Sequence, residues 1–115
     1  MRNKKTHGVT FKKKLNKCKL VFFAHNELQY KYGDYLDANE EIVEIKCNVP
    51  IECELGDTYT TDFYCIKTNG EVLVRECVYK EKLLKPQTIK MLDASRNYWL
   101  SQGITDWGIV LDADK

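Results

Sequence analysis

Two acidic residues, Asp62 and Glu76, lie in neighbouring segments rich in β-branched and aromatic residues, which predict the two strands of a β-hairpin. A mostly apolar strand face that carries two carboxylates at one end is typical of a buried sheet face with a functional site at its end. Proteins bind Mg²⁺ through one or two carboxylates together with substrate phosphate oxygens. The bound ion can polarise a phosphodiester and activate water. The pair is therefore a candidate divalent-metal site, although cross-strand carboxylates also occur on solvated faces.

The loop of the hairpin decides whether the two acids face each other. If Asn69-Gly70 alone forms a two-residue turn, Asp62 pairs with Cys77 and lies on the face opposite Glu76. If Thr68-Asn69-Gly70 is a three-residue loop with its glycine left-handed, Asp62 lies directly across from Glu76. We predict the three-residue loop, because it also gathers apolar residues of both strands on the face of the two acids. These apolar residues are Tyr64, Ile66, Val72, Val74 and Val78.

One helix is predicted before this hairpin and one after it. The first begins behind an Asn26 cap and ends at residues 37–39, with apolar residues recurring at helical spacing. The second begins at Pro86, which suits the first position of a helix, and Gly103 closes it. We expect these two helices to flank the sheet.

Two further strands complete the predicted sheet. Residues 42–47 mix β-branched and alternating residues, and Pro50 either breaks this strand or places it at an edge. Gly56-Asp57 then turns the chain. Residues 107–111 predict a last short strand, parallel to residues 72–78 and buried if the second helix crosses over the sheet. The sequence thus predicts a mixed α/β fold with a sheet of about four to five strands.

The positive charge is concentrated near the amino terminus. Residues 1–19 contain eight Lys or Arg and no acid, whereas the rest holds ten basic and seventeen acidic residues, giving a net charge of +1. Such a segment suits phosphate binding, because neutralised phosphates release counterions; a solvated terminus is the alternative. We divide the chain into a basic segment, 1–22, and one folded domain, 23–115, of a size that a single core can hold. The candidate nucleic-acid-binding residues are Lys12, Lys13, Lys14, Lys17 and Lys19.

Composition argues against several classes of protein. No run approaches the roughly 18 apolar residues of a membrane span, and no signal-peptide pattern is present. Five cysteines, an odd number without a Cys-x-x-Cys pair, predict free thiols in a reducing compartment and no structural zinc. We expect a cytoplasmic protein without membrane partners, or a virion-associated one if it is phage-encoded.

Several short motifs, in a consistent order and spacing, resemble the amino-terminal nuclease domain of TnsA-type transposon endonucleases. The hairpin contributes Tyr59-Thr60-Thr61-Asp62-Phe63 and Glu76-Cys77-Val78. The flanking motifs are Leu36-Asp37, Ile42-Val43-Glu44-Ile45, Leu84-Lys85-Pro86, Tyr98-Trp99, Gly103-Ile104 and Trp107-Gly108-Ile109. The resemblance covers about three quarters of the chain and implies a restriction-endonuclease-like, PD-(D/E)XK core.

The resemblance also implies cleavage of one strand of double-stranded DNA at a transposon end, dependent on Mg²⁺ or Mn²⁺ and alongside a partner transposase. In that family an acid of the first helix, the Asp of a (T/S/P)-D-F motif and a (Q/E)-x-K motif bind metal and activate water. Asp62 matches the Asp and Glu76 the first position of the strand motif, whereas Val78 occupies the lysine position. The helix acid position falls on Gln29, with Glu27 two residues earlier.

These two departures change the expected site. Val78 cannot stabilise developing charge, and neutral Gln29 is a poorer metal ligand than a carboxylate. If the strand runs on, Lys80 returns to the face of Val78 and supplies the missing charge. Glu27 is a poorer substitute for the helix acid, because positions two apart on a helix diverge by about 200°. Gln29 also fits a capping box, in which its side chain bonds back to the N–H of Asn26.

The expected catalytic residues are therefore Asp62, Glu76 and Lys80, with Asp62 and Glu76 as the metal ligands. The alternative is a non-catalytic nuclease-fold protein that binds DNA or serves assembly in a transposition complex or a virion. Phage head-completion proteins are similar to this fold. A protein interaction module without DNA is a third possibility. Tyr98 and Trp99 are expected to pack within the fold rather than stack on bases.

Overall fold

The computed structural model describes residues 11–52 and 59–112 of the chain. The predicted turn at Gly56-Asp57 and the first ten residues of the basic segment lie outside these ranges. The elements in chain order are β1 (Phe11–Lys13), β2 (Phe22–Ala24), α1 (Glu27–Asp37), β3 (Ile42–Ile51), β4 (Tyr59–Lys67), β5 (Val72–Val78), a 3-10 turn (Lys80–Lys82), α2 (Pro86–Ser101) and β6 (Asp106–Leu111). The fold is mixed α/β, as predicted, with an additional β1–β2 hairpin.

Four of the strands form one mixed sheet in the order β3-β4-β5-β6. β5 and β6 are parallel, as predicted, and the connection between them contains α2, whereas the other neighbours are antiparallel. Pro50 lies within β3, which is an edge strand, so the edge alternative is confirmed. The predicted burial of the last strand is wrong: β6 forms the other edge, and its residues are half-buried or exposed.

The β4–β5 hairpin has the predicted register. Its pairs run from Ile66 with Val72 to Phe63 with Arg75. The N–H of Lys67 donates to the carbonyl of Glu71 at 2.8 Å, which leaves a three-residue loop between them. Gly70, the last residue of that loop, has a φ of 87°. This left-handed conformation carries no steric penalty for glycine. Gly70 therefore suits the three-residue loop that sets the register of the hairpin.

Both helices begin and end where the sequence predicts. The Asn26 side chain accepts a hydrogen bond from the N–H of Gln29 at 2.8 Å and caps α1. Pro86 occupies the first turn of α2, and Gly103 follows the helix with a φ of 83°. No helix of the described ranges is long and apolar enough to cross a bilayer.

The sheet has a separate hydrophobic layer on each face. On one face, α2 contributes Met91 and Trp99 to a cluster with Val74 of β5. On the other face, α1 and the β1–β2 hairpin cover alternate strand residues, including Phe63 of β4. Residues of the basic segment belong to this second cluster: Leu15, Cys18 and Phe22 are buried in it. Residues 11–22 therefore fold against the domain that follows them.

Candidate active site at the fork between β4 and β5

β4 and β5 separate at the position of the two acids. Their last pair is Phe63 with Arg75, beyond which β4 continues beside β3 and β5 continues beside β6. We call this point of divergence the fork. Asp62 and Glu76 are the first residues past it, and both are fully buried. The register therefore places the two carboxylates where two strands part and their backbone groups need other partners.

The two carboxylates provide those partners. The N–H of Asp62 donates to Oε1 of Glu76 at 3.0 Å, and the N–H of Cys77 donates to Oδ2 of Asp62 at 2.8 Å. Each acid thus accepts a backbone hydrogen bond from the opposite strand. Asp62 and Glu76 face one another, as the three-residue loop predicts.

The second oxygen of Glu76 bonds to Ser95, which in turn bonds to Trp107. The sequence interpretation placed neither residue in the site. The hydroxyl of Ser95, on α2, donates to Oε2 of Glu76 at 2.5 Å. The indole N–H of Trp107, on β6, donates to the same hydroxyl at 3.0 Å. The available sequence signal was a serine at an apolar position of the helical period of α2, because a hydroxyl buried there needs a polar partner.

The surroundings of Glu76 raise its pKa to about 7. Burial is the largest cause, because it penalises the charged form, and the neighbouring carboxylate of Asp62 adds to it. The hydrogen bonds from Ser95 and from the backbone of Asp62 act in the opposite direction. A carboxyl with such a pKa exchanges its proton near neutral pH, as a general acid or base must.

Trp99 closes the α2 side of the fork. Its indole N–H donates to Oγ1 of Thr61 at 2.7 Å, and its ring lies 5.3 Å from the ring of Tyr64. The ring of Tyr98 meets it edge-on at 4.9 Å. Both aromatic residues pack within the fold, as predicted.

Gln29, at the predicted position of the helix acid, is fully buried in a hydrogen-bond network. Its Oε1 accepts from the N–H of His25 at 2.8 Å, and its Nε2 donates to Oδ1 of Asn48 at 3.0 Å. The reciprocal half of the predicted capping box is therefore wrong, because the Gln29 oxygen bonds to His25 instead of the Asn26 N–H.

Asn48 links this network to the fork. The pairs on either side of it, Cys47 with Phe63 and Val49 with Thr61, place Asn48 opposite Asp62. Its φ is 54°, and its Nδ2 donates to the carbonyl of Phe23 at 2.7 Å. The sequence interpretation missed this residue; an Asn inside an apolar strand was the available signal, since Asn tolerates the left-handed region.

Lys80 and Glu27 are the proposed substitutes for the missing lysine and the missing helix acid. Lys80 does not lie on β5, and Glu27 lies on the exposed side of α1. β5 ends at Val78, and Lys80 begins the exposed 3-10 turn with its N–H on Oδ1 of Asp112 at 2.7 Å. The strand extension that would return Lys80 to the face of Val78 is therefore wrong. Glu27 is exposed on α1 and forms an ion pair with Lys31 at 2.9 Å.

The lysines of the basic segment have different surroundings. Lys13 forms an ion pair with Asp34 and lies over the ring of Tyr30. The amino groups of Lys14 and Lys17 donate to backbone carbonyls. Lys12 and Lys19 are exposed, with the Lys19 ammonium 3.9 Å from the carboxylate of Glu44.

A metal ion at the fork would compete with hydrogen bonds that the two acids already accept from the protein. Carboxylate oxygens are the ligands Mg²⁺ prefers, but it also keeps several waters. Both oxygens of Glu76 and Oδ2 of Asp62 accept hydrogen bonds from the protein, and neither residue is exposed. Within residues 11–52 and 59–112, no group of three or more His, Cys, Asp or Glu side chains is placed to hold a metal.

No model of a known protein family and no curated protein sequence matches this chain.

Proposed function

We propose that this chain is a TnsA-like endonuclease domain of a mobile element or phage, which acts on double-stranded DNA with strongly reduced hydrolysis. The observation that supports it is the position of Asp62 and Glu76 face to face at the fork, the two acids that the resemblance assigns to the metal. A transposase or a phage assembly subunit is the proposed partner.

The reduced hydrolysis follows from the residues around the pair. Val78, at the lysine position, is a buried apolar side chain that offers no charge to a developing phosphorane. Loss of one preorganised electrostatic contact to a transition state costs roughly 10²–10³ in rate. Gln29 has no carboxylate to bind a metal ion, and its amide already bonds to His25 and Asn48. The restriction-endonuclease-like core is part of the same proposal.

Restoring the lysine tests the proposal. Val78→Lys should raise nicking of supercoiled plasmid by at least tenfold with Mn²⁺ or Mg²⁺, and adding Asp62→Ala should abolish the gain. Val43→Lys is the matched control, because Val43 is an exposed valine of β3. Circular dichroism must first show that each variant folds, and Gln29→Glu serves as a second gain-of-function variant. Nicking that survives Asp62→Ala would reject the fork as the catalytic site.

DNA binding is tested through its salt dependence. Replacing the exposed Lys12, Lys14 and Lys19 with Gln should make the negative slope of log K against log salt shallower by about 2.7, because each lost phosphate contact contributes about 0.9. The control replaces the exposed Lys82, Lys85 and Lys90 in the same way. A chain without salt-dependent retention on a duplex would instead be a protein interaction module.

The second candidate is a non-catalytic DNA-binding or assembly protein with the same fold. The observation that favours it is Glu76, whose two oxygens both bond to the protein in a fully buried position. A thermal titration separates the candidates, because a ligand that binds only the folded state raises its stability. Stabilisation by millimolar Mn²⁺ that disappears in Asp62→Ala supports the nuclease, and its absence in the unchanged chain supports the non-catalytic protein.

A further inference from the structure

Two thiols that the proposed function does not use lie side by side. Cys18 is in the connection between β1 and β2, and Cys47 is in β3, 29 residues further along the chain. Their sulfur atoms are 3.7 Å apart. Both line an open groove of about 920 Å³ between residues 18–23 and 44–50, in which Cys47 is half-buried and Cys18 is buried, with 6% of its surface exposed.

The two sulfurs differ in their ionisation. The pKa of Cys18 is lowered, mainly by its hydrogen bond with the Cys47 side chain, and the nearby Lys14 ammonium acts in the same direction, whereas burial and the Asp37 carboxylate act against it. The pKa of Cys47 is raised by the same hydrogen bond and by burial. Since the thiolate is the nucleophile in disulfide exchange, Cys18 is the attacking sulfur. Cys65 differs from Cys18, because burial raises the pKa of Cys65 to about 12.

We propose that Cys18 and Cys47 form an oxidation site that closes to a disulfide on reaction with a low-molecular-weight disulfide such as oxidised glutathione. The Cys18 thiolate attacks one sulfur of the reagent, giving a mixed disulfide and one glutathione thiolate. Cys47 loses its proton to solvent and attacks the Cys18 sulfur, which releases the second glutathione. The protein dithiol is oxidised by two electrons, and the reagent is reduced to two thiols.

Closure requires the two sulfur atoms to move together. A disulfide requires a sulfur–sulfur distance of about 2.05 Å, so the two atoms must approach by about 1.7 Å. Cys18 lies outside any strand, and its own N–H bonds only within the turn, to the carbonyl of Leu15 at 3.3 Å. The bond would tie the β1–β2 connection to an edge strand of the sheet. This inference is independent of DNA cleavage.

The reaction is followed on the reduced full chain with oxidised glutathione. Intact mass should fall by 2 Da, the loss of two hydrogens. A Glu-specific protease should then yield residues 1–27 linked to residues 45–52, a digestion that separates Cys47 from Cys53. Cys47→Ser should trap glutathione on Cys18 as a stable mixed disulfide, whereas the matched control Cys65→Ser should oxidise like the unchanged chain.

Closure of this loop should also raise the melting temperature by about 5–15 °C, reversibly on reduction, as expected for a loop of this length in a small domain. An unchanged mass would overturn the proposal. So would a link through Cys53, Cys65 or Cys77, a mixed disulfide that persists on the unchanged chain, or a loss of 2 Da in Cys18→Ser.

Discussion

The backbone N–H of Asp62 donates to Oε1 of Glu76 across the point where β4 and β5 stop pairing. The bond makes a candidate catalytic carboxyl part of the connection between two strands. Its other oxygen is held by Ser95 of α2. Opening Glu76 to a ligand would therefore cost the fold two buried hydrogen bonds, and stability measurements can report on the fork independently of any activity.

The pH dependence of stability should report on Glu76. Its pKa is about 7 in the folded chain, above its ordinary value of 4.5, so the folded state binds this proton more tightly. The resulting stabilisation is complete below about pH 4.5 and is lost as pH rises through about 7. Urea unfolding from pH 5 to 8 should show this fall, worth up to about 3 kcal/mol.

Glu76→Gln should remove that fall, because its amide keeps a hydrogen-bonding side chain of the same shape without a titrating proton. The exposed Glu81 on the 3-10 turn provides the control, and Glu81→Gln should leave the pH profile unchanged. A Glu76→Gln profile parallel to that of the unchanged chain would show that Glu76 does not titrate in this range.

Ser95→Ala should destabilise the fold by about 1–3 kcal/mol, because it removes the partner of both Glu76 Oε2 and the Trp107 indole. It should also shift the pH-dependent loss of stability to higher pH, since the Ser95 hydrogen bond lowers the pKa of Glu76. Urea unfolding measures both effects. Ser101→Ala, at an exposed position near the end of α2, should change stability by less than about 0.5 kcal/mol.

Two substitutions of Asn48 separate the contribution of its hydrogen bonds to stability from the contribution of its backbone conformation. Asn48→Ala should cost about 2–4 kcal/mol, because it removes the partner of the buried Gln29 amide and places an alanine at a φ of 54°. Asn48→Gly loses the same bonds but tolerates this φ, so it should be about 1 kcal/mol more stable than the alanine variant. Equal stabilities in urea unfolding would show that φ contributes nothing.

Local signals explain which parts of the fold were predictable. Asn26, Pro86 and Gly103 act within one turn of their own positions, and each marks a helix boundary in the structure. Gly70 sets the register of the hairpin through a three-residue loop, and this placed Asp62 opposite Glu76. Such features need no knowledge of the rest of the chain.

The features that were not predictable depend on distant partners. The end of β5 coincides with a bond from Lys80 to Asp112, 32 residues away, although alternation alone would extend the strand. The β1–β2 hairpin consists of two strands of three residues each, which are too short for a clear period. Ser95 bonds to Glu76, and Trp107 bonds to Ser95, because α2 and β6 pack beside β5, which sequence spacing does not reveal.

Gly33 tests the packing of α1 on the sheet. In an exposed helix Gly→Ala would stabilise by up to about 1 kcal/mol. Here an added Cβ would lie 2.6 Å from Cε2 of Phe22, whose buried ring packs against Phe63. Because overpacking of a core costs about 1–3 kcal/mol, Gly33→Ala should be a net destabilisation in urea unfolding.

A double-mutant cycle identifies the cause of that loss. Phe22→Leu destabilises by itself, since it removes buried ring atoms, but it also clears the space that the new methyl group needs. In the Phe22→Leu background, Gly33→Ala should therefore become neutral or stabilising, with a coupling energy of about 1–3 kcal/mol. Additive effects of the two substitutions would mean that α1 and the β1–β2 hairpin are not in contact at this position. They would also contradict the packing of residues 11–24 against the rest of the domain.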